Sequence, residues 1–287
     1  MQVLTSIQQV REFRQKIKST GGSLGFIPTM GNLHAGHIAL VTASRAECNH
    51  SLVSIFVNPM QFGENEDFDS YPRTLEKDQE MLREAGAAAV FHPPVSAIYP
   101  TPLARQTQVS VPDISLHYEG KSRPGHFIGV ATVVCKLLNI IQPDRAYFGE
   151  KDFQQLALIE KMVEDLCIAT TICPVSTTRD KDGLALSSRN GYLTPEQRRK
   201  APAIRQILLK AKQAIETGDR DYHTIEQTSC QALKAAGLEP DYFAIVNAKT
   251  LQQAKPEDTD LVILTAAKLG KPRLLDNVRV MLNAQAL

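Results

Sequence analysis

The sequence lacks the features that mark membrane proteins and nucleic-acid-binding proteins. Its 287 residues carry a formal net charge of +1, which creates no overall field to attract a nucleic acid or a membrane surface. No apolar run is long enough to cross a bilayer, and Lys136 and Asn139 interrupt the best candidate, residues 130–141. The first residues show no charged region followed by an apolar core, so we expect no signal peptide. These absences predict a soluble protein with neither a nucleic acid nor a membrane as partner.

The cysteines offer no framework of disulfides or metal ligands. There are five of them, an odd number, and no two form a Cys-x-x-Cys pair. We therefore expect free thiols in a reducing cytoplasm. The hydrophobic content of 43% and the charged content of 22% are ordinary for a globular enzyme.

The first part of the chain alternates strand-like and helix-like patterns. The run at residues 51–57 is almost continuously apolar and rich in β-branched residues, as in a buried parallel strand. Further strands are predicted at 24–27, 88–91, 108–111, 146–148 and 171–175, and helices at 74–85, 129–141 and 153–166. This alternation predicts an α/β fold, a Rossmann-like doubly wound parallel sheet covered by helices on both faces.

The pattern changes after Gly191. One long helix is predicted from Thr194 to about Thr217 and another at 223–236, followed by strands at 242–246, 261–266 and around 273–280. We therefore predict two domains, a Rossmann-like domain at 1–176 and a smaller C-terminal α+β domain at 177–287.

The most informative segment is Pro-Thr-Met-Gly-Asn-Leu-His-Ala-Gly-His, residues 28–37. It lies between a predicted strand and a predicted helix, so both imidazoles can lie on one side of the helix's first turn. The unpaired N–H groups and the dipole at that end attract anions, and Gly31 and Gly36 let a phosphate approach the backbone. The alternative is a tight turn with two solvated histidines. The His-x-Gly-His element resembles the signature of the nucleotidylyltransferase and class I aminoacyl-tRNA synthetase superfamily.

Two further segments carry cations suited to phosphate. Residues 149–155 follow a strand and open a helix, which places Gln155 one turn beyond Lys151. Residues 186–190 offer two hydroxyls and Arg189, which can neutralise charge that develops on a leaving pyrophosphate. Taken alone, residues 149–155 are equally well explained as a surface cap. Residues 186–190, taken alone, are better explained as a common solvated turn.

Three other segments carry polar or charged groups, of which the first suits a hydroxylated, carboxylated molecule. Residues 57–62 end a strand with two amides, those of Asn58 and Gln61. Residues 71–74 open a helix that carries Asp78 one turn further on. Arg123, within residues 123–127, is either a carboxylate clamp or the partner in an ion pair that stabilises a turn.

In order and spacing, these segments resemble the pantothenate synthetase (pantoate–β-alanine ligase) family over nearly the whole chain. Three positions depart from the family's pattern. Ile128 stands where many members have a basic residue, and Lys77 before Asp78 replaces one of the paired acids that some members show. Leu186 replaces a frequent methionine, which conserves volume.

The resemblance implies a two-step reaction. The pantoate carboxylate attacks the α-phosphate of ATP to give pantoyl adenylate and pyrophosphate, and the amine of β-alanine then displaces AMP. Since the charge develops on phosphate and acyl oxygens, catalysis should depend on positioning and preorganised cations. Mg²⁺ should bridge the phosphates largely through water and substrate.

The resemblance also assigns roles to residues. The implied catalytic residues are His34, His37, Lys151 and Arg189. The implied ATP-binding residues are Met30, Gly31, His34, His37, Gly149, Glu150, Lys151, Asp152, Thr178, Leu186, Ser187, Ser188 and Arg189. Pantoate is assigned to Asn58, Gln61, Arg123 and Gln155, β-alanine to Gln61, and a metal contact to Asp78. The family further implies a homodimer.

The resemblance gives each predicted domain a task. Residues 1–176 would bind the nucleotide and pantoate, and residues 177–287 would act as a lid. We predict that this second domain hinges near residues 176–183 and closes over ATP.

Two other functions fit the same signature. A small-molecule nucleotidylyltransferase would transfer a nucleotide and stop, and a nucleotide-sensing protein of this fold would not react at all. A tRNA synthetase fits less well, because the charge is neutral and the second domain is small.

Overall fold

The computed structural model describes residues 1–63, 66 and 68–282. Its contacts divide the chain into two compact units. Unit 1 comprises Met1–Glu150 and Gln155–Ser176, and unit 2 comprises Lys151–Gln154 and Thr177–Leu287.

Unit 1 is built on a six-stranded sheet in which every pair of neighbours is parallel. The strands are β1 (Gln2–Leu4), β2 (Leu24–Thr29), β3 (His50–Ile55), β4 (Ala89–Phe91), β5 (Arg145–Gly149) and β6 (Thr171–Val175). The helices that connect them are α1 (Ile7–Ser19), α2 (Ala35–Glu47), α3 (Leu75–Glu84), α4 (Val95–Ile98), α5 (Glu119–Ser122), α6 (His126–Ile141) and α7 (Phe153–Asp165).

The strand order β1-β4-β3-β2-β5-β6 reverses direction at β2, which pairs with β3 on one side and with β5 on the other. This confirms the predicted Rossmann-like, doubly wound sheet. In such sheets ligands bind beyond the carboxyl ends of the strands at the point of reversal. A ligand site is therefore expected at the loops that follow β2 and β5.

Close packing places α2 against this point of the sheet. A Cβ atom on Gly25 of β2 would lie only 2.1 Å from the Ser44 hydroxyl oxygen of α2. Glycine is therefore needed at this position, and its absence of a side chain sets how near the helix comes to the strand. The buried core beside this contact includes Ile27, Val53 and Val90.

Unit 2 contains α8 (Pro195–Lys200), α9 (Ala203–Glu216), α10 (Tyr222–Ala235) and an antiparallel sheet of β7 (Glu239–Asn247), β8 (Asp260–Lys268) and β9 (Arg273–Met281). This is the α+β character predicted for the C-terminal part. The single long helix predicted from Thr194 was wrong, because α8 ends before Pro202. A proline has no N–H to donate, and its ring clashes with the preceding turn.

Two other differences concern unit 1. The strand predicted at 108–111 does not form, since the Val109 N–H donates to the Thr132 hydroxyl of α6 at 2.9 Å rather than to a neighbouring strand. β1 and α1 were not predicted, although α1 begins with a capping box between Ser6 and Gln9 that is visible in the sequence.

Candidate active site

The turn between β2 and α2 holds a backbone conformation that few residues adopt. Gly31 has φ of 85° and Asn32 has φ of 50°. A Cβ atom on Gly31 would also lie 3.1 Å from a carboxylate oxygen of Asp78. Glycine at position 31 is therefore favoured by its positive φ and fits closely against Asp78, and the turn places His34 at the start of α2.

His34 and His37 both take part in capping α2. The Gly36 N–H donates to Nδ1 of His34 at 3.1 Å, and the His34 N–H donates to Nδ1 of His37 at 3.3 Å. The ring centroids are 4.2 Å apart. A backbone N–H can only donate, so each Nδ1 offers a lone pair and each neutral ring carries its proton on Nε2. The turn thus sets both tautomers and makes both Nε2 atoms donors.

Asp78 of α3 stabilises this turn through hydrogen bonds to its backbone. Its carboxylate accepts hydrogen bonds from the N–H groups of Asn32, at 2.9 Å, and Leu33, at 2.8 Å. The Thr74 hydroxyl donates to the same group at 3.1 Å, and Asp78 is only 1% exposed. Among residues 1–63, 66 and 68–282 there is no cluster of three or more His, Cys, Asp or Glu suited to a metal. Asp78 therefore positions the turn through these hydrogen bonds, and its contact with a metal stays a prediction.

Asn58 organises the turn after β3, a 3₁₀ helix at Pro59–Gln61. Its Nδ2 donates to Gln61 Oε1 and to the Gly129 carbonyl, each at 3.1 Å. Its Oδ1 accepts from the Met60 N–H at 3.2 Å and the Tyr99 hydroxyl at 2.8 Å. With both ends of its amide engaged and 1% exposure, Asn58 supports Gln61, and its own contact with pantoate stays a prediction.

Gln61 joins two of the predicted subsites. Its Nε2 donates to Met30 Sδ at 3.1 Å, so a residue assigned to pantoate contacts one assigned to the nucleoside. Gly129 of α6 allows this arrangement, because a Cβ atom there would lie 2.3 Å from the Met60 carbonyl oxygen. No motif in the sequence marks Tyr99 or Gly129 as neighbours of this turn.

Arg123 forms the ion pair that was the alternative to a carboxylate clamp. Its Nε and Nη2 each donate to a carboxylate oxygen of Glu66 at 2.6 Å. Burial raises the pKa of the Glu66 carboxyl, but the hydrogen bond and charge of Arg123 outweigh that effect and hold the pKa below its usual range. The guanidinium is therefore engaged by a carboxylate of the protein, and its contact with pantoate stays a prediction.

His126 continues this network to the Gln61 backbone. Nη1 of Arg123 lies 3.1 Å from Nε2 of His126, and since arginine can only donate, Nε2 accepts. Nδ1 then carries the proton and donates to the Gln61 carbonyl at 2.9 Å. Gln61 is thus held by His126 at its backbone and by Asn58 at its side chain.

Beyond β5, the chain forms a 3₁₀ turn at Glu150–Asp152 that leads into α7. Gly149 and Glu150 belong to unit 1, whereas Lys151 and Asp152 belong to unit 2. The Lys151 ammonium donates to the Asp152 carboxylate at 3.3 Å. Gln155, in unit 1, is half-buried on the first turn of α7.

Residues 186–190 of unit 2, called here the serine loop, follow a short antiparallel turn. The Leu186 N–H donates to the Thr178 carbonyl at 3.0 Å, and Arg179 and Ala185 form an antiparallel bridge. Ser187 then caps a 3₁₀ helix at Ser188–Tyr192, with its hydroxyl accepting from the Arg189 N–H at 3.3 Å. The two serines and Arg189 predicted for pyrophosphate therefore lie in one ordered turn, with Thr178 at its base.

The sequence and structure also match known proteins. The family model described as pantoate–β-alanine ligase matches residues 2–279. The pantothenate synthetase of Pseudomonas fluorescens (strain Pf0-1) is 51% identical over 286 residues, which cover 99% of this chain and 100% of the relative. The pantothenate synthetase of Thermus thermophilus superposes with a TM-score of 0.89 at 41% identity, covering 97% of this chain and 99% of that one.

A third match is a pantoate–β-alanine ligase from Francisella tularensis, whose crystal structure is described as a complex with β-γ ATP and β-alanine. It is 35% identical, covers 97% of each chain and has a TM-score of 0.81. The family predicted from the motifs is thereby confirmed: the chain belongs to the pantoate–β-alanine ligase family.

Proposed function

We propose that this protein joins (R)-pantoate to β-alanine, converting ATP to AMP and pyrophosphate. The observation that carries the proposal is the pair His34 and His37, whose Nδ1 atoms are held by backbone N–H groups at 3.1 and 3.3 Å. The pair lies at the N-terminus of α2, where the helix dipole favours an anion. The complex of the Francisella relative supports ATP and β-alanine as two of the substrates.

In the first step a pantoate carboxylate oxygen bonds to the α-phosphorus of ATP, and the bond to the bridging oxygen of pyrophosphate breaks. Negative charge accumulates on the phosphate oxygens. Within unit 1, we assign the Nε2–H donors of His34 and His37 to those oxygens. Met30 and the backbone of Gly31, Gly149 and Glu150 are assigned to the nucleotide.

Within unit 2, Lys151 and Arg189 are assigned to the β- and γ-phosphates. The hydroxyls of Ser187 and Ser188 are assigned to the same phosphates, Asp152 orients the Lys151 ammonium, and Thr178 and Leu186 form the base of the turn. Fixed cations there stabilise the leaving pyrophosphate without having to reorganise as it departs.

In the second step the β-alanine ammonium loses one proton, its nitrogen bonds to the acyl carbon, the acyl–oxygen bond to AMP breaks, and a second proton leaves the nitrogen as the amide forms. Gln61 is assigned to pantoate and to β-alanine, with Gln155 as the second pantoate contact. Asn58 and His126 position Gln61, since they hold its side chain and its carbonyl at 3.1 and 2.9 Å.

Mg²⁺ fits this protein as a partner of ATP rather than as a resident ion. The carboxylate predicted to contact it, Asp78, accepts three hydrogen bonds from protein donors. Magnesium commonly keeps several waters and binds through substrate phosphates. We therefore assign it to the ATP substrate.

Three further properties complete the proposal: a reducing cytoplasm, a homodimer and a lid, of which only the homodimer rests on the family's pattern. All five cysteines are unpaired, which supports a reducing cytoplasm. Within the part of the chain that the structure describes, no helix is long and apolar enough to cross a membrane. We also propose a homodimer, and we propose that residues 177–287 act as a lid. An inter-domain distance that stays constant when ATP and pantoate saturate the protein would contradict the lid.

Product analysis with ATP, pantoate and β-alanine, omitting each in turn, tests the function. A ligase releases AMP and pyrophosphate and forms pantothenate only with all three present. A nucleotidylyltransferase would instead leave a nucleotidylated product, and a sensing protein would release no pyrophosphate. Pantoate and ATP without β-alanine should still exchange labelled pyrophosphate into ATP. A requirement for β-alanine in that exchange would contradict the adenylate-first order.

A further inference from the structure

Two adjacent residues of β9, Asp276 and Asn277, bond the segments of unit 2 that lead to the two cations assigned to phosphate, Arg189 and Lys151. Asn277 donates from Nδ2 to the backbone carbonyl of Lys151 at 2.9 Å. Asn277 is 8% exposed, and its side chain spans the distance between β9 and the 3₁₀ turn at Glu150–Asp152. The turn is thus tied to a strand that lies more than a hundred residues further along the chain.

Asp276 makes the corresponding contact to the segment that leads into the serine loop. Its two carboxylate oxygens accept from Nη1 and Nη2 of Arg179, both at 2.7 Å. Arg179 also donates to the Gly183 carbonyl at 3.1 Å. The Asp276 side chain is 1% exposed, so this bidentate pair is protected from water and fixes the base of the turn that ends at Arg189.

The two contacts are coupled to each other. The Asn277 N–H donates to an Asp276 carboxylate oxygen at 2.8 Å, and its carbonyl accepts from Arg205 at 3.3 Å. The Asp276 carboxylate therefore holds Arg179 and the Asn277 backbone, while the side-chain amide of Asn277 holds the Lys151 carbonyl. β9 pairs with β8 over nine residues, which makes it a rigid support.

We propose that Asn277, supported by Asp276, is a positioning residue for Lys151 in the adenylation step. This inference rests on the proposed function, because it gives Lys151 the role assigned above. The Lys151 ammonium stands at the end of a four-carbon side chain, and the hydrogen bond from Asn277 fixes the backbone point from which that side chain extends. A misplacement of about 1 Å at a catalytic group can cost a factor of about 10² in rate.

The main variant is Asn277→Asp, which keeps the size of the side chain and replaces the donor with an oxygen that repels the Lys151 carbonyl. Pyrophosphate exchange with pantoate and ATP should fall by a factor of about ten to a hundred in kcat. The KM for β-alanine should not change. Asn277→Ser, which is too short to reach the carbonyl, provides the same test if Asn277→Asp folds poorly. Arg279→Gln is the matched control on the same strand, since Arg279 is exposed and pairs with Asp260.

A double-mutant cycle with Lys151→Ala decides whether the effect passes through the lysine. If Asn277 acts by positioning Lys151, replacing Asn277 in the Lys151→Ala background should change exchange little further. An equal loss in both backgrounds would mean a general structural role and would overturn the inference.

The carbonyl ¹³C shift of Lys151, measured by NMR in the full-length protein, reports the hydrogen bond without reference to activity. It should move in Asn277→Asp and Asn277→Ser and remain in place in Arg279→Gln. An unchanged shift in both Asn277 variants would overturn the inference. If the unaltered protein shows no exchange at all, the proposed function fails, and the carbonyl shift alone then decides whether Asn277 positions Lys151.

Discussion

The Asp78 carboxylate accepts the backbone N–H of Leu33 at 2.8 Å, which ties α3 to the turn that precedes α2. Because Asp78 also accepts from Asn32, one buried side chain fixes two consecutive backbone N–H groups of a turn with two left-handed residues. The direction in which His34 and His37 point therefore depends on a residue that lies outside the motif.

We predict that Asp78→Asn lowers both stability and turnover. An amide has one acceptor oxygen, so its NH₂ group would face one of the two N–H donors and leave it unsatisfied. A buried unsatisfied group costs about 1–3 kcal/mol. Urea unfolding measures the stability, and pyrophosphate exchange measures the activity.

Glu76→Gln on the same helix is the control, since Glu76 is exposed and should tolerate the change. Recovery of Asp78→Asn activity by raised Mg²⁺ would contradict the positioning role and favour a metal contact.

We predict that His37→Ala and Lys151→Ala each reduce turnover by a factor of about 10² to 10³, as expected for removal of a donor that stabilises developing charge. The fold should be retained in both, although His37→Ala also removes part of the α2 cap and should cost about 1 kcal/mol of stability. Steady-state kinetics and thermal unfolding measure the two effects.

His223→Ala, on an exposed face of α10, is the control for loss of an imidazole. Near-normal turnover in His37→Ala or in Lys151→Ala would remove that residue from the catalytic set.

We predict that Gly129→Ala weakens pantoate binding. The new Cβ atom would be 2.3 Å from the Met60 carbonyl oxygen, so either α6 or the turn at Pro59–Gln61 must shift. Since that turn carries Gln61, the KM for pantoate should rise, and stability should fall by about 1–3 kcal/mol.

Gly191→Ala is a control for stability, because a Cβ atom there meets no atom within 4 Å. An unchanged KM for pantoate in a destabilised Gly129→Ala protein would show that Gln61 does not depend on this contact.

We predict that Glu66→Gln lowers the thermal stability near neutral pH and that the difference disappears in acid. The pKa of Glu66 lies below its usual value of about 4.3, so the ionised form is favoured by folding. The stabilisation is therefore present above that pH and is lost as the pH falls through the lowered pKa. Unfolding temperatures measured from pH 7 to pH 3 test this. If Glu66→Gln still unfolds at a lower temperature than the unaltered protein at pH 3, the loss of stability does not come from the charge of Glu66 beside Arg123.

The sequence by itself determined the fold class and most of the elements, because their signals are local. The apolar run of β3, the glycine-containing turn at 28–37 and the alternation of strands with helices follow from backbone preferences and hydrophobic periodicity. The motif also placed the two histidines at the start of a helix. The local signals that were overlooked, Pro202 and the Ser6 capping box, were also present in the sequence.

Only the tertiary structure decided how the candidate site is supported. Asp78 bonds a turn 45 residues away, Asn58 bonds Gly129 across 71 residues, and Asn277 bonds Lys151 across 126. Arg123 was ambiguous in the sequence because a guanidinium suits a substrate carboxylate and a Glu66 carboxylate equally well. Such pairings depend on which segments packing brings together, and no periodicity or spacing encodes them. The residues of the proposed chemistry could therefore be found in motifs, whereas the contacts that orient them were revealed by the fold.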